Sequence, residues 1–138
     1  MSIPDSQLPI SEQIATVAKV FQRQRTGHVP KAVSVVIGGN TLVITLHGAL
    51  SPAEQAMAAT PEGSAKVQEF HRQLFQDASG SLREDIKRIT GMEVREASAE
   101  VDPTSGTVVQ VFNTGTMVQV FELSGKVPTQ SFDGEPSA

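Results

Sequence analysis

The 138-residue sequence contains no cysteine, no tryptophan and no tyrosine. The absence of cysteine excludes disulfides, thiolate metal sites and a cysteine nucleophile, and it fits the cytoplasm, where we expect the protein to reside. The six phenylalanines are scattered along the chain, an unsuitable pattern for a surface on which nucleic-acid bases stack. The net charge of −4 also argues against nonspecific nucleic-acid binding, which requires a basic surface.

Long hydrophobic runs are also missing. No apolar segment approaches the ~20 residues that a membrane-spanning helix requires, and residues 1–5 lack the basic and apolar regions of a signal peptide. A chain of this length is sufficient for one domain with a single buried core. We therefore predict one soluble domain that spans no membrane, so that any membrane role would be peripheral.

The stretch 48–54 is the strongest local signal in the chain. Ser51 stands at an N-cap, Pro52 at the first helical position and Glu54 three residues after the cap, which is the pattern of a capping box. A strand should therefore end, and a helix begin, at Ser51. Thr60 is placed to cap a second, long helix over residues 61–90, with Gly91 as its C-terminal residue.

Two helices show a periodic apolar stripe. In the predicted helix 10–25 the stripe consists of Ile10, Ile14, Val17, Ala18 and Phe21. In helix 61–90 it consists of Val67, Phe70, Leu74, Ala78, Leu82, Ile86 and Ile89. Basic residues gather near the end of the first helix: Lys19, Arg23, Arg25, His28 and Lys31. They fit cations that stabilise the negative end of a helix dipole, and an anion site is the alternative.

Alternating patterns predict strands. Residues 32–47 form a hairpin around the turn residues 38–40, and 92–101 form a third strand. Residues 105–112 are repeated almost unchanged at 114–121, which predicts a terminal hairpin folded at Thr114 and Gly115. We expect its aliphatic face to enter the core: Val109, Val111, Val118 and Val120. The opposite face is predicted to be a self-association surface that joins a homodimer: Val108, Gln110, Phe112, Met117, Gln119 and Phe121. Coverage of this face by the tail or by the first helix is the alternative.

These elements predict an α+β fold, a two-layer sandwich in which helices cover one face of an antiparallel sheet of about five strands. The predicted order is α-β-β-α-α-β-β-β. Residues 1–9 are a flexible lead-in, 10–123 a single domain and 124–138 a polar tail.

The ordered set of residues over 27–112 resembles the MpsC family, a small bacterial domain family. The carriers are Gly27, residues 30–35, Asn40, residues 42–44, Leu46, residues 48–54, Arg72, Phe75, Thr90, Gly91, Val94, Asp102, Val111 and Phe112. The chain departs from the family at Val29, where a second glycine is usual, and in the near-copy after Phe112. The resemblance implies a soluble accessory component of a sodium-translocating, membrane-potential-generating system. It implies no defined catalytic chemistry.

Few residues are candidates for chemistry. The three histidines, His28, His47 and His71, lack the spacing of a metal site, and we expect no metal, no cofactor and no catalytic residue. His71 is interpreted as a flanking residue of the long helix. Glu54 and Arg72 are the binding candidates, because they can pair across an interhelical groove or hold an anion there.

Two function classes therefore stay open. The first is a non-enzymatic interaction domain that binds itself or a protein partner of a membrane complex. The second is a domain, or a weak enzyme, that binds a small molecule or anion near Glu54 and Arg72. A pocket with converging polar groups would favour the second class, and a flat apolar sheet face would favour the first.

Overall fold

The computed structural model of the protein describes residues 7–113, and these residues form three helices and four strands. The elements are α1 (Ile10–Thr26), β1 (Ala32–Gly38), β2 (Thr41–His47), α2 (Pro52–Met57), α3 (Pro61–Thr90), β3 (Glu96–Asp102) and β4 (Thr107–Asn113). The strands form one antiparallel sheet in the order β1-β2-β4-β3. The α+β prediction is confirmed, with four strands in the described part rather than about five.

Helices α1 and α3 pack against each other and against one face of the sheet. The strand register places the core side chains in rows that run across the sheet. One row joins Val33, Leu46, Val108 and Val101, and another joins Ile37, Leu42, Phe112 and Ala97. The middle row contains Val35, Ile44, Gln110 and Ala99. A glutamine thus lies at the centre of an otherwise aliphatic row.

The predicted terminal hairpin is wrong in its pairing and in its faces. Strand β4 lies between β2 and β3, so both of its edges are already paired with other strands of the described sheet. The register with β2 places Val108, Gln110 and Phe112 opposite core residues, and all three are buried. Val109 and Val111 lie on the opposite, uncovered face. Because strand faces alternate, the neighbouring strands determine which set is buried. Met117, Val118, Gln119, Val120 and Phe121 lie outside the described residues.

The predicted stripe of α3 is correct in part. Val67, Leu82 and Ile86 are buried, and Ala78 and Ile89 pack against the core. Phe70, however, is 50% exposed, whereas its neighbour His71 is buried. Val67, His71 and Phe75 follow one another at intervals of four residues, which keeps them on one face of a helix. The predicted stripe included Phe70 and Leu74, each one residue before the buried His71 and Phe75.

The predicted helix boundaries are confirmed. Ser51 and Glu54 form the capping box of α2, and the Thr60 side chain accepts a hydrogen bond from the Gly63 N–H at the start of α3. Helices α1 and α3 end at Gly27 and Gly91, which both adopt φ of 77°, a conformation that glycine tolerates best. Ile10, in contrast to its predicted place in the α1 stripe, is exposed.

Candidate functional site

Glu54 is the most constrained charged side chain of the predicted site. Its backbone N–H donates to Ser51 Oγ at 3.2 Å, and its Oε1 accepts from the Ser51 backbone N–H at 2.9 Å. These two reciprocal bonds satisfy donors at the start of α2 that have no partner within the helix. One carboxylate oxygen is therefore engaged in holding the helix start, and only Oε2 is left for a tertiary contact.

That contact is to His71, which lies between Val67 and Phe75 on the buried face of α3. The distance between His71 Nε2 and Glu54 Oε2 is 2.8 Å, and the two side chains are 3% and 18% exposed. An ionised carboxylate can only accept hydrogen bonds, so His71 Nε2 is the donor. The pair fastens the short helix α2 to the long helix α3.

The electrostatics favour an ionised Glu54. Partial burial acts to raise the pKa of Glu54, but the hydrogen bond from the Ser51 backbone N–H and the His71 contact together outweigh it. The pKa of Glu54 consequently lies below its ordinary value. With both oxygens engaged and the charge retained, this carboxylate is suited to a structural role rather than to proton transfer.

Arg72, the other predicted binding residue, lies apart from Glu54. Its guanidinium contacts Glu69 Oε1 at 2.7 Å and Glu100 Oε1 at 3.4 Å, and these carboxylates, Glu100 first, raise the pKa of Arg72. The predicted pairing of Glu54 with Arg72 is therefore wrong, because Glu54 pairs with the preceding residue, His71. Two carboxylates already offset the charge of Arg72.

The remaining histidines are separated from this pair. His28 Nε2 lies 3.1 Å from the Gly48 carbonyl oxygen, and His47 Nε2 lies 3.3 Å from Ser34 Oγ. Within residues 7–113, no three histidine or acidic side chains lie close enough together to hold a metal ion. At the end of α1, Arg25 stacks over the Phe21 ring at 5.2 Å and donates to Ser81 Oγ.

An apolar groove lies at one end of the sheet, between the β1–β2 turn and the end of α3. Its wall is almost entirely apolar and includes Ile37, Leu42, Ile86, Met92 and Phe112. The polar residues Asn40, Thr41, Thr90 and Glu93 also line it, but they contribute little of its exposed wall.

Comparison with known proteins identifies the family. The sequence model described as "Na+-translocating membrane potential-generating system (MpsC)" matches residues 6–115, which include every described helix and strand. The chain belongs to the MpsC family. The resemblance inferred from the sequence is thus confirmed.

Two proteins of Bacillus subtilis (strain 168) are similar to this MpsC domain. "Uncharacterized protein YbcI" is 23% identical over 103 residues, which are 75% of this chain and 83% of YbcI. "Uncharacterized protein YrhF" is 28% identical over 97 residues, 70% of this chain and 80% of YrhF. No solved structure matches the chain. None of the helices within residues 7–113 is long and apolar enough to cross a membrane.

The MpsC domain has a second notable surface, the sheet face that the helices leave uncovered. Cross-strand pairing aligns Val36 with Val43 and Val43 with Val111, so that three valines form a row across β1, β2 and β4. We call these three residues the valine row. Val36 is 63% exposed, and Val43 and Val111 are half-buried. This surface was not predicted from the sequence, because Val111 was expected in the core.

Proposed function

We propose that this MpsC domain is a non-enzymatic interaction domain and that it forms a homodimer through the valine row. The observation that carries the proposal is the apolar row on the sheet face that the three described helices leave uncovered. β-Branched side chains in register on an open face are available to pack against another surface. This surface replaces the predicted one, because Val108, Gln110 and Phe112 lie in the core.

A second copy is the occupant that fits the valine row best. The row itself carries no charge, and the carboxylates of this face, Glu96 and Glu100, lie at its margin on β3. An apolar centre with a charged rim is the usual layout of a protein interface. A two-fold axis through the row would pack the same valines of both copies against each other, and two-fold dimers are the commonest oligomers.

The test is a charge introduced into the row. Val36→Lys removes the most exposed valine and would place two ammonium groups in a two-fold interface. Light scattering after size-exclusion chromatography should give a dimer for the natural sequence and a monomer for Val36→Lys. Since Val36 is exposed, the circular dichroism spectrum and the melting temperature should be retained.

Val29→Lys is the matched control, because Val29 is also exposed but precedes β1 and lies outside the row. This variant should stay dimeric. A natural chain that is monomeric at high concentration, or a Val36→Lys chain that is dimeric, would contradict the proposed interface.

We further propose that the domain acts as a peripheral accessory component of a Na+-translocating, membrane-potential-generating system. The family description supports this role. Cross-linking in the native cells, followed by purification of the tagged chain, should recover subunits of a membrane complex. Recovery of the chain alone, with no membrane protein above a tag-only control, would contradict the role and leave the dimer proposal intact.

A further inference from the structure

Two glutamines are buried at the walls of one small cavity between the helices and the sheet. Gln22 of α1 is 2% exposed and Gln110 of β4 is 1% exposed. Both line the cavity, together with Phe21, Phe75 and the ring of His71. Buried glutamines are uncommon, and here two of them, from elements far apart in sequence, meet at one place.

One atom of each amide has no hydrogen-bond partner among the described residues. These atoms are Gln22 Nε2, a donor, and Gln110 Oε1, an acceptor. A buried polar atom without a partner is costly, and most such groups in native proteins are satisfied by protein atoms or by ordered water. The two residues that carry these atoms both line the cavity, where a molecule that can both accept and donate would satisfy them.

Size and chemistry limit what this molecule can be. The cavity volume is about 10 Å³, close to the minimum of roughly 10–15 Å³ that one water molecule needs. A metal cation prefers several oxygen ligands, whereas the two unpartnered atoms are one oxygen and one amide N–H. Rotation of both side-chain amides by 180° exchanges the donor and the acceptor, so the bound molecule must still accept one hydrogen bond and donate another.

We propose that this cavity binds one ordered water molecule that accepts a hydrogen bond from Gln22 Nε2 and donates one to Gln110 Oε1. A buried water makes roughly two to four hydrogen bonds, and the two amides supply two of them. The bound water joins α1 and the inner strand β4 through one polar junction.

Magnetic relaxation dispersion of water oxygen-17 tests the site, because it counts water molecules held for long times inside a protein. Gln110→Leu should hold one long-lived water fewer than the natural chain. Gln24→Leu makes the same substitution at an exposed position of α1, the helix that carries Gln22, and as the control it should leave the number unchanged. An unchanged number in a folded Gln110→Leu chain would overturn the proposal.

A second measurement uses only the natural chain and does not depend on the folding of a variant. Nuclear magnetic resonance should detect cross-relaxation between the Gln22 side-chain amide protons and a bound water. Its absence, or a crystal structure in which the Gln22 and Gln110 amides bond directly to each other, would overturn the proposal. An electron-density peak with the coordination of a cation would overturn it as well.

Discussion

Glu54 and His71 illustrate what single residues reveal in a sequence. The role of Glu54 in the capping box was predicted, because it depends only on Ser51 and Glu54, which lie within one helical turn. Its bond to His71 joins residues that are 17 positions apart, and no local pattern encodes it. The helix phase set by Val67 and Phe75 places residue 71 on the buried side. A buried histidine needs a polar partner. The position of His71 in the helix was therefore the available signal that it bonds to another polar side chain.

The lowered pKa of Glu54 leads to a prediction about acid stability. A carboxyl group whose pKa is lower in the folded state stabilises the protein above its unfolded pKa, about 4.3 for glutamate, and the stabilisation is lost as the pH falls through the folded pKa. Glu54→Gln cannot ionise, so it lacks this contribution. The free energy of unfolding, measured with denaturant at a series of pH values, should fall less steeply below about pH 4.3 in the variant. Parallel curves would show that Glu54 has the same pKa folded and unfolded.

Helix α3 contains two glycines, Gly63 and Gly80, whose surroundings differ. The helix is continuous through Gly80, and an added Cβ there would meet no atom within 4 Å beyond the helix's own backbone. At Gly63 an added Cβ would overlap the backbone carbonyl oxygen of Met57, in α2. Glycine at 63 therefore permits α2 to approach α3, and glycine at 80 only weakens the helix.

Alanine at these two positions should have opposite effects. Gly80→Ala should raise the free energy of unfolding by about 0.4–1 kcal/mol, because alanine restricts the unfolded chain and fits a helix. Gly63→Ala should lower it by about 1–3 kcal/mol, the usual cost of overpacking. Urea denaturation of both variants beside the natural chain measures the two effects. A stabilised Gly63→Ala protein would mean that α2 can move away from α3 without loss.

Strand β4 marks the limit of prediction at the element scale. Its existence and alternation were predicted from Thr107 to Phe112, but its buried face was not. Both faces of β4 carry valines, so hydrophobicity alone does not distinguish them. The register with Leu42, Ile44 and Leu46 of β2 decides the matter, and this pairing spans more than 60 residues of sequence. Strand propensity indicates that a residue fits a pleated surface, but it does not indicate which face of the sheet its side chain occupies.

The order of the strands is a property of the whole molecule, and it explains why the near-copy at 114–121 led to a wrong prediction of strand pairing. A repeat that follows after nine residues indicates a hairpin, since sequential strands often pair. Strand β3, however, occupies one side of β4, and β2, which precedes it by two helices, occupies the other. The class of fold was predictable from the order of helices and strands, whereas the position of β4 depends on long-range packing.

This topology predicts that a chain ending at Asn113 folds without the remaining residues. The four described strands lie within 32–113, β4 has partners on both sides, and the described core residues extend from Ile14 to Phe112. The family match covers the same region. A chain of residues 1–113 should therefore show the circular dichroism of the full protein and one cooperative thermal transition.

A chain of residues 1–121 is the control that restores the near-copy. If only this longer chain unfolds cooperatively, residues 114–121 complete the core. If 1–113 folds and is still a dimer, the valine row suffices for association and the near-copy is not required.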